Sequence, residues 1–202
     1  MRAVIPVLDP QILEQRKRFG VDQYDEMWDG ELHMPPSPDY WHQSFEGELA
    51  TYLRIHWGHP NKAQVLQQMN LARVRAGQEW RQDYRIPDIL LVTPERMQIN
   101  HVSHFEGAPD MLVEIHSPGD EAHEKLPFYR ELTVPEVWII HRDTKKVEPY
   151  LLRQGEYELS EPDADGWVRS PAAGMEMRPT GTGKLAIQLI GKADTAADLP
   201  LY

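Results

Sequence analysis

Two carboxylates interrupt the two most apolar strand-like runs of the sequence, Asp88 in PDILLV and Glu114 in MLVEIH. Stripping a carboxylate of water costs several kcal/mol or more unless something positive lies beside it. Glu114, between Val113 and Ile115, therefore either faces solvent or has a cationic neighbour. If the two runs are adjacent strands in register, about 4.8 Å apart, the two side chains converge. Two oxygen donors facing one point suit Mg2+ or Mn2+, which binds through one or two carboxylates and keeps several waters. Such an ion offsets the burial cost, positions a water and stabilises phosphate charge.

His116 stands two residues beyond Glu114 and so shares its sheet face. An imidazole there could orient water, bind metal or contact phosphate. Asp110, after Pro109, competes with Asp88 as the partner acid. Four residues of strand, roughly 13 Å, separate it from Glu114, so Asp88 is the better partner. The plainer alternatives are an Asp88 that caps a loop or pairs with Arg85, and a Glu114 that faces solvent. Neither His101-x-x-His104 nor His116 with His123 supplies a complete zinc ligand set at structural-site spacing. GTGK at 181–184 lacks the earlier glycine and the Ser or Thr of a phosphate loop, and reads as a turn. Ser117 has no nucleophile-elbow context.

The elements that must position these residues follow from periodicity. WHQSFEGELATYLRIHW (41–57) predicts a helix with Trp41, Phe45, Leu49, Tyr52 and Leu53 on one face, stopped by Gly58 and Pro60. EMWDGELHM reads as a hairpin turning at Asp29-Gly30. AQVLQQMNLARVR predicts one bent strand or two short ones. IPDILLVTP (86–94) and APDMLVEIHSP (108–118) predict strands, and EVWIIHRDTKKVEPYLL a strand, turn and strand. GEYELSE, GWVRS and GKLAIQLI add short strands. GDEAHEKLPFYREL predicts a helix that begins properly at Pro127, because proline is tolerated only in a first turn. The sum is a mixed α/β domain around a partly buried sheet.

Composition narrows the classes. With no cysteine, disulfides, thiolate metal sites and cysteine nucleophiles are excluded. A net charge of −11 argues against a broadly basic nucleic-acid surface and leaves only local positive patches, such as Arg142 to Lys146. No apolar run approaches the roughly 20 residues that span a bilayer. The N-terminal stretch has no signal-peptide h-region, so a cytoplasmic protein without membrane contact is expected.

The ordered succession YRIPDILLV, APDMLVEIHSP, EKLPFYRELTVPEVWII and HRDTKKVEPYLL resembles the Uma family of restriction-endonuclease-like proteins, within the PD-(D/E)XK nuclease superfamily. His42 and the apolar positions Phe45, Leu49 and Leu53 also fit its spacing. The likeness runs over about residues 20–190 of a chain read as one domain, 1–202. It implies a restriction-endonuclease-like fold, a central mixed β-sheet flanked by helices with extra N- and C-terminal hairpins. It also implies a metal-dependent nuclease acting on nucleic acid, DNA foremost, with Mg2+ or Mn2+ as cofactor. By position, Asp88 and Glu114 become metal ligands, joined by Glu48 or Glu46 from the first helix. The superfamily lysine belongs at 116, where His116 stands; Lys125, four residues before Tyr129, is the other candidate for its role. A homodimer is expected on general grounds. The rival reading is a noncatalytic binding or assembly module that keeps the nuclease fold.

Overall fold

The computed structural model describes residues 3–5, 10–73 and 75–201. Strand β1 (Ala3–Ile5), helix α1 (Pro10–Phe19) and the hairpin β2 (Glu26–Trp28) and β3 (Glu31–Met34) precede the long helix α2 (Tyr40–Leu53). A short helix α3 (His59–Asn61) leads to β4 (Gln64–Gln67), β5 (Leu71–Ala72), β6 (Tyr84–Arg85), β7 (Ile89–Val92) and β8 (Phe105–Glu106). Next come β9 (Met111–His116), helix α4 (Leu126–Glu131), β10 (Glu136–His141), β11 (Val147–Arg153) and β12 (Glu156–Leu159). The last strands are β13 (Val168–Ser170), β14 (Met175–Pro179), β15 (Leu185–Leu189) and β16 (Lys192–Leu199).

The central sheet has the order β12-β11-β10-β9-β7-β4. Only β9 and β10 run parallel in it, joined through α4, and the other pairs are antiparallel. The apolar residues of β7, β9 and β10 are buried on both faces, which is why they read as continuous apolar runs rather than alternating ones. One face packs against α2 and the four-stranded sheet β13–β16, through Phe45, Leu49, Trp138, Met175 and Ile187. The other packs against α4 and the N-terminal sheet, through Leu112, Phe128, Tyr129, Leu71 and Phe105.

Several sequence expectations are met in detail. Asp29 and Gly30 both have positive φ (48° and 91°), as a two-residue hairpin turn of this hand requires. Pro127 lies in the first turn of α4, after a single 3-10 turn at His123–Lys125. AQVLQQMNLARVR forms two short strands in different sheets, broken at Gln68 (φ 53°); Val74 within it lies outside the described residues. Residues 1–2 and 6–9 of the N-terminal stretch also lie outside them. Among the described residues no helix is long and apolar enough to cross a membrane.

Three expectations are corrected. Trp41 does not join the buried stripe of α2: it is 65% exposed, and its ring packs edge-on against Tyr40 rather than on the core. Gly58 and Pro60 do not stop the helix. The chain passes through a π turn at Arg54–Gly58 into α3, with Pro60 in the first turn, and ends at Lys62 in left-handed geometry (φ 55°). Gly58 instead permits close packing, since a Cβ there would meet Val65 at 3.2 Å. Helix α1 was not foreseen; it is only ten residues long and buries none of them fully.

Candidate active site

Asp88 follows Pro87 and stands one residue before β7. The antiparallel register Ile89↔Val113 and Leu90↔Leu112, continued by one residue, sets Asp88 opposite Glu114. Two hydrogen bonds hold the Asp88 carboxylate in place: Oδ2 accepts from the Ile115 amide at 2.6 Å, and Oδ1 from His42 Nε2 at 3.0 Å. Arg85, the alternative partner of Asp88, pairs with Asp83 instead. Asp110 is tied to Arg96 and the Thr93 amide, away from this group.

Glu114 is buried and has the positive neighbour its position demands. Lys125 Nζ lies 3.2 Å from Oε2, and the Tyr129 hydroxyl donates to Oε1. Lys125 immediately precedes α4, so Pro127 opens the helix without moving the ammonium off target. The same ammonium is 2.8 Å from Glu26 Oε1 of β2, a carboxylate that also accepts from the Ile86 amide and the Trp28 indole. Glu26, His42, Asp88, Glu114 and Lys125 line one cavity of about 250 Å³.

Helix α2 is placed by its N-cap, where Asp39 accepts from the His42 amide at 2.9 Å. One turn after His42, Glu46 is fully buried, held by the side-chain amides of Gln67 and Gln68, with His42 Nε2 at 3.7 Å. Ligand atoms of His42, Glu46 and Asp88 all lie within 4.8 Å of one another. Glu48, expected at this site, is not there. Its carboxylate accepts from the Leu201 amide at 2.6 Å, because two residues along a helix turn a side chain to the far flank. His116 does not line the cavity either; its Nδ1 is 2.6 Å from Asp120 and its ring lies beside two other histidines. Of the two candidates for the lysine position, Lys125 is the one the fold brings to Glu114.

The group carries a surplus of negative charge. Glu26, Glu46, Asp88 and Glu114 face Lys125 and His42, with the charge of Arg85 reaching Glu26 and Arg142 on the cavity wall. Burial, with Lys125 only partly offsetting it and Asp88 and Glu26 adding to it, pushes the Glu114 carboxyl up to about 8. Burial and the charge of Asp88 push Glu46 up to about 7. For His42, burial opposes protonation, but the hydrogen bond and charge of Asp88 outweigh it and raise the imidazole. Lys125 is raised likewise: burial works against the ammonium, and Glu114 and Glu26 more than restore it. The Glu114 and Glu46 carboxyls therefore hold a proton more tightly than they would in water.

One family model, described as "Putative restriction endonuclease", matches residues 13–180. The chain belongs to the Uma2 family. Among solved structures, this Uma2 protein is similar to "a putative nuclease belonging to DUF820" from Anabaena variabilis ATCC 29413, at 22% identity and a TM-score of 0.57. The match covers 74% of this chain and 83% of that one. At this identity the likeness concerns the fold, which is restriction-endonuclease-like. No curated protein matches the sequence. Sequence reasoning about the Uma2 chain missed Glu26, whose only local context is a hairpin flank and whose partner Lys125 is remote in sequence. It noted His42 without its contact to Asp88. The one available signal was the i,i+4 pairing of His42 with Glu46, which favours Glu46 over Glu48.

Proposed function

We propose that this Uma2 protein is a metal-dependent nuclease that hydrolyses phosphodiester bonds of DNA with Mg2+ or Mn2+. The observation that carries the reading is Asp88 set opposite Glu114 on paired strands, in one cavity with Lys125. The donor set fits the ion: hard carboxylate oxygens, a cavity roomy enough for an ion with several waters at about 30 Å³ each, and a charge surplus that a dication relieves. Asp88 and Glu114 would hold it, with Glu46 behind them on α2 and His42 between. Bound there, the ion supplies an activated water and charge stabilisation at the phosphate.

The chain's own groups do the positioning. His42 orients Asp88 by donating to Oδ1, which leaves Oδ2 on the Ile115 amide. Tyr129 holds one oxygen of Glu114 while Lys125 holds the other. The Lys125 ammonium faces the cavity and attracts the phosphate, losing part of its carboxylate partnership as it does so. Glu26 keeps that ammonium charged and in place throughout.

The test is cleavage of supercoiled and single-stranded DNA by wild-type and Asp88→Asn protein with Mn2+, Mg2+ or chelator. Metal-dependent cutting that falls by about 10²-fold or more in Asp88→Asn is expected, the scale of removing one group aimed at developing charge. Cutting at wild-type rate by the variant would remove the proposal. DNA binding without any cutting or metal effect would favour the noncatalytic module.

A further inference from the structure

Beyond the cavity, on the solvent-facing end of the same strands, three histidines gather around one carboxylate. The parallel register of β9 and β10 sets His116 beside His141. His123, from the turn before α4, places its ring 5.1 Å from that of His116 and 6.1 Å from that of His141. Glu148 of β11 receives both: His123 Nε2 is 2.8 Å from Oε2 and His141 Nε2 is 3.1 Å from Oε1. None of these groups lines the cavity of Asp88 and Glu114.

We propose that His123, His141 and Glu148 form a second metal site, for a transition-metal dication of the zinc class, with His116 as the adjoining fourth donor. One ligand atom from each of the three side chains already lies within 4.8 Å of the others. Side-chain adjustment alone closes such a set onto an ion with bonds of about 2.0–2.1 Å. Two imidazoles with one carboxylate select a borderline ion over Mg2+, which prefers oxygen and water. His116 is prepared in the manner of a metal ligand: Asp120 takes its Nδ1 and leaves Nε2 as the ligand atom. Asp120 is itself held by the Ser117 and Ala122 amides, so the pairing is anchored to the backbone.

Access and competition also fit. The side chains of His123 and His141 are 38% and 28% exposed, so an ion arrives without the fold opening. Lys146 Nζ, 2.7 Å from Glu148 Oε1, holds the place a cation would take. Its side chain is 62% exposed and can leave for water. The Tyr150 hydroxyl, 3.4 Å from Oε2, is compatible with either state. The comparable trio His101, His104 and Glu106 lacks an equivalent, since His104 stacks on Trp80 and, among the described residues, no third imidazole is paired to a carboxylate beside it.

The site does not depend on the nuclease reading, and Co2+ tests it directly. Co2+ is titrated into wild-type, Asp88→Asn, His123→Gln and His141→Gln protein, reading the visible absorption of low-coordinate Co2+, with Zn2+ calorimetry for stoichiometry. The glutamines keep a donor to Glu148 and sit at half-buried positions near the surface, so the fold is preserved. Wild-type and Asp88→Asn protein are expected to give the same intense band, and each glutamine variant to weaken it by about 100-fold or more in affinity. A band absent from wild-type protein overturns the proposal. So does one that both glutamine variants retain, or one lost only in Asp88→Asn.

Discussion

Glu114 and Glu148 flank the same residue, Ile139, in one row across the central sheet, and their environments drive them in opposite directions. Glu114 is pushed up to about 8 by burial and by Asp88 and Glu26, against the pull of Lys125. Glu148 is also penalised by burial, yet hydrogen bonds from Lys146, His123 and His141 bring it down to about 2. What differs is the number of donors per carboxylate. Lys125 is shared between Glu114 and Glu26 with Asp88 nearby, whereas at the surface end several donors converge on Glu148 alone. The buried site is therefore short of positive charge and would gain from the proposed hard dication. The surface cluster is already neutralised and would exchange one cation for another.

The most forceful way to break this contrast is to remove the shared ammonium. Lys125→Met leaves Glu26 with its bonds from the Ile86 amide and Trp28 and the weaker pull of Arg85. Removing one partner of a buried pair costs about 3–5 kcal/mol, and thermal or denaturant unfolding at neutral pH should show a loss of that size. Adding Glu26→Gln to Lys125→Met should restore part of it, since the surplus charge goes as well. A Lys125→Met protein as stable as wild type would mean that the ammonium does not hold these carboxylates.

The second test uses pH. Glu114 has a folded pKa of about 8 against an ordinary 4.5, so the stability it contributes is fully present below 4.5 and is lost as pH rises through about 8. Glu46, raised to about 7, behaves the same way over a narrower window. Glu148 has the opposite sign: its contribution is present above 4.5 and lost as pH falls through about 2. Metal-free protein should therefore lose stability on the order of 3 kcal/mol between about pH 4.5 and 8. Glu114→Gln should flatten that limb, and saturating Mn2+ should abolish it. Glu148→Gln should leave it alone and flatten the acid limb instead. A melting temperature indifferent to pH across this window in metal-free protein would contradict the buried charge surplus.

How far the sequence revealed this contrast depends on burial. Strands β7, β9 and β10 announce themselves because both faces are covered, so almost every residue is apolar and the two acids stand out. The pairing of Asp88 with Glu114 was legible for that reason, whereas Lys125 came from the family resemblance. Helix α1 fully buries none of its ten residues, so it adds no covered apolar run of that kind. Trp41 misled because periodicity says which residues share a face, not where along a helix the core ends. The histidine cluster was read only in part: His116 with His123 was set aside as an incomplete zinc set, and only the parallel register of β9 and β10 brings His141 beside His116. Glu26 reaches the site through a third element, the N-terminal hairpin, whose docking no local pattern encodes.

The smallest expected effect separates two acids that the sequence left undecided. Glu46 and Glu48 lie on one helix, two residues apart, and only Glu46 shares a face with His42. Glu48→Ala removes a bond to the Leu201 amide and a buried oxygen that has no partner among the described residues. The loss should be within about 1 kcal/mol, because the unpartnered oxygen was itself a cost. Mn2+ affinity measured by calorimetry should not change. Glu46→Gln should weaken Mn2+ binding, because it takes one of the carboxylates from the His42 and Asp88 group while keeping its shape. If Glu48→Ala lowered Mn2+ affinity more than Glu46→Gln, the acid of α2 would belong on the other flank. The charge surplus assigned to the buried site would then shrink by one carboxylate, and with it the contrast to Glu148.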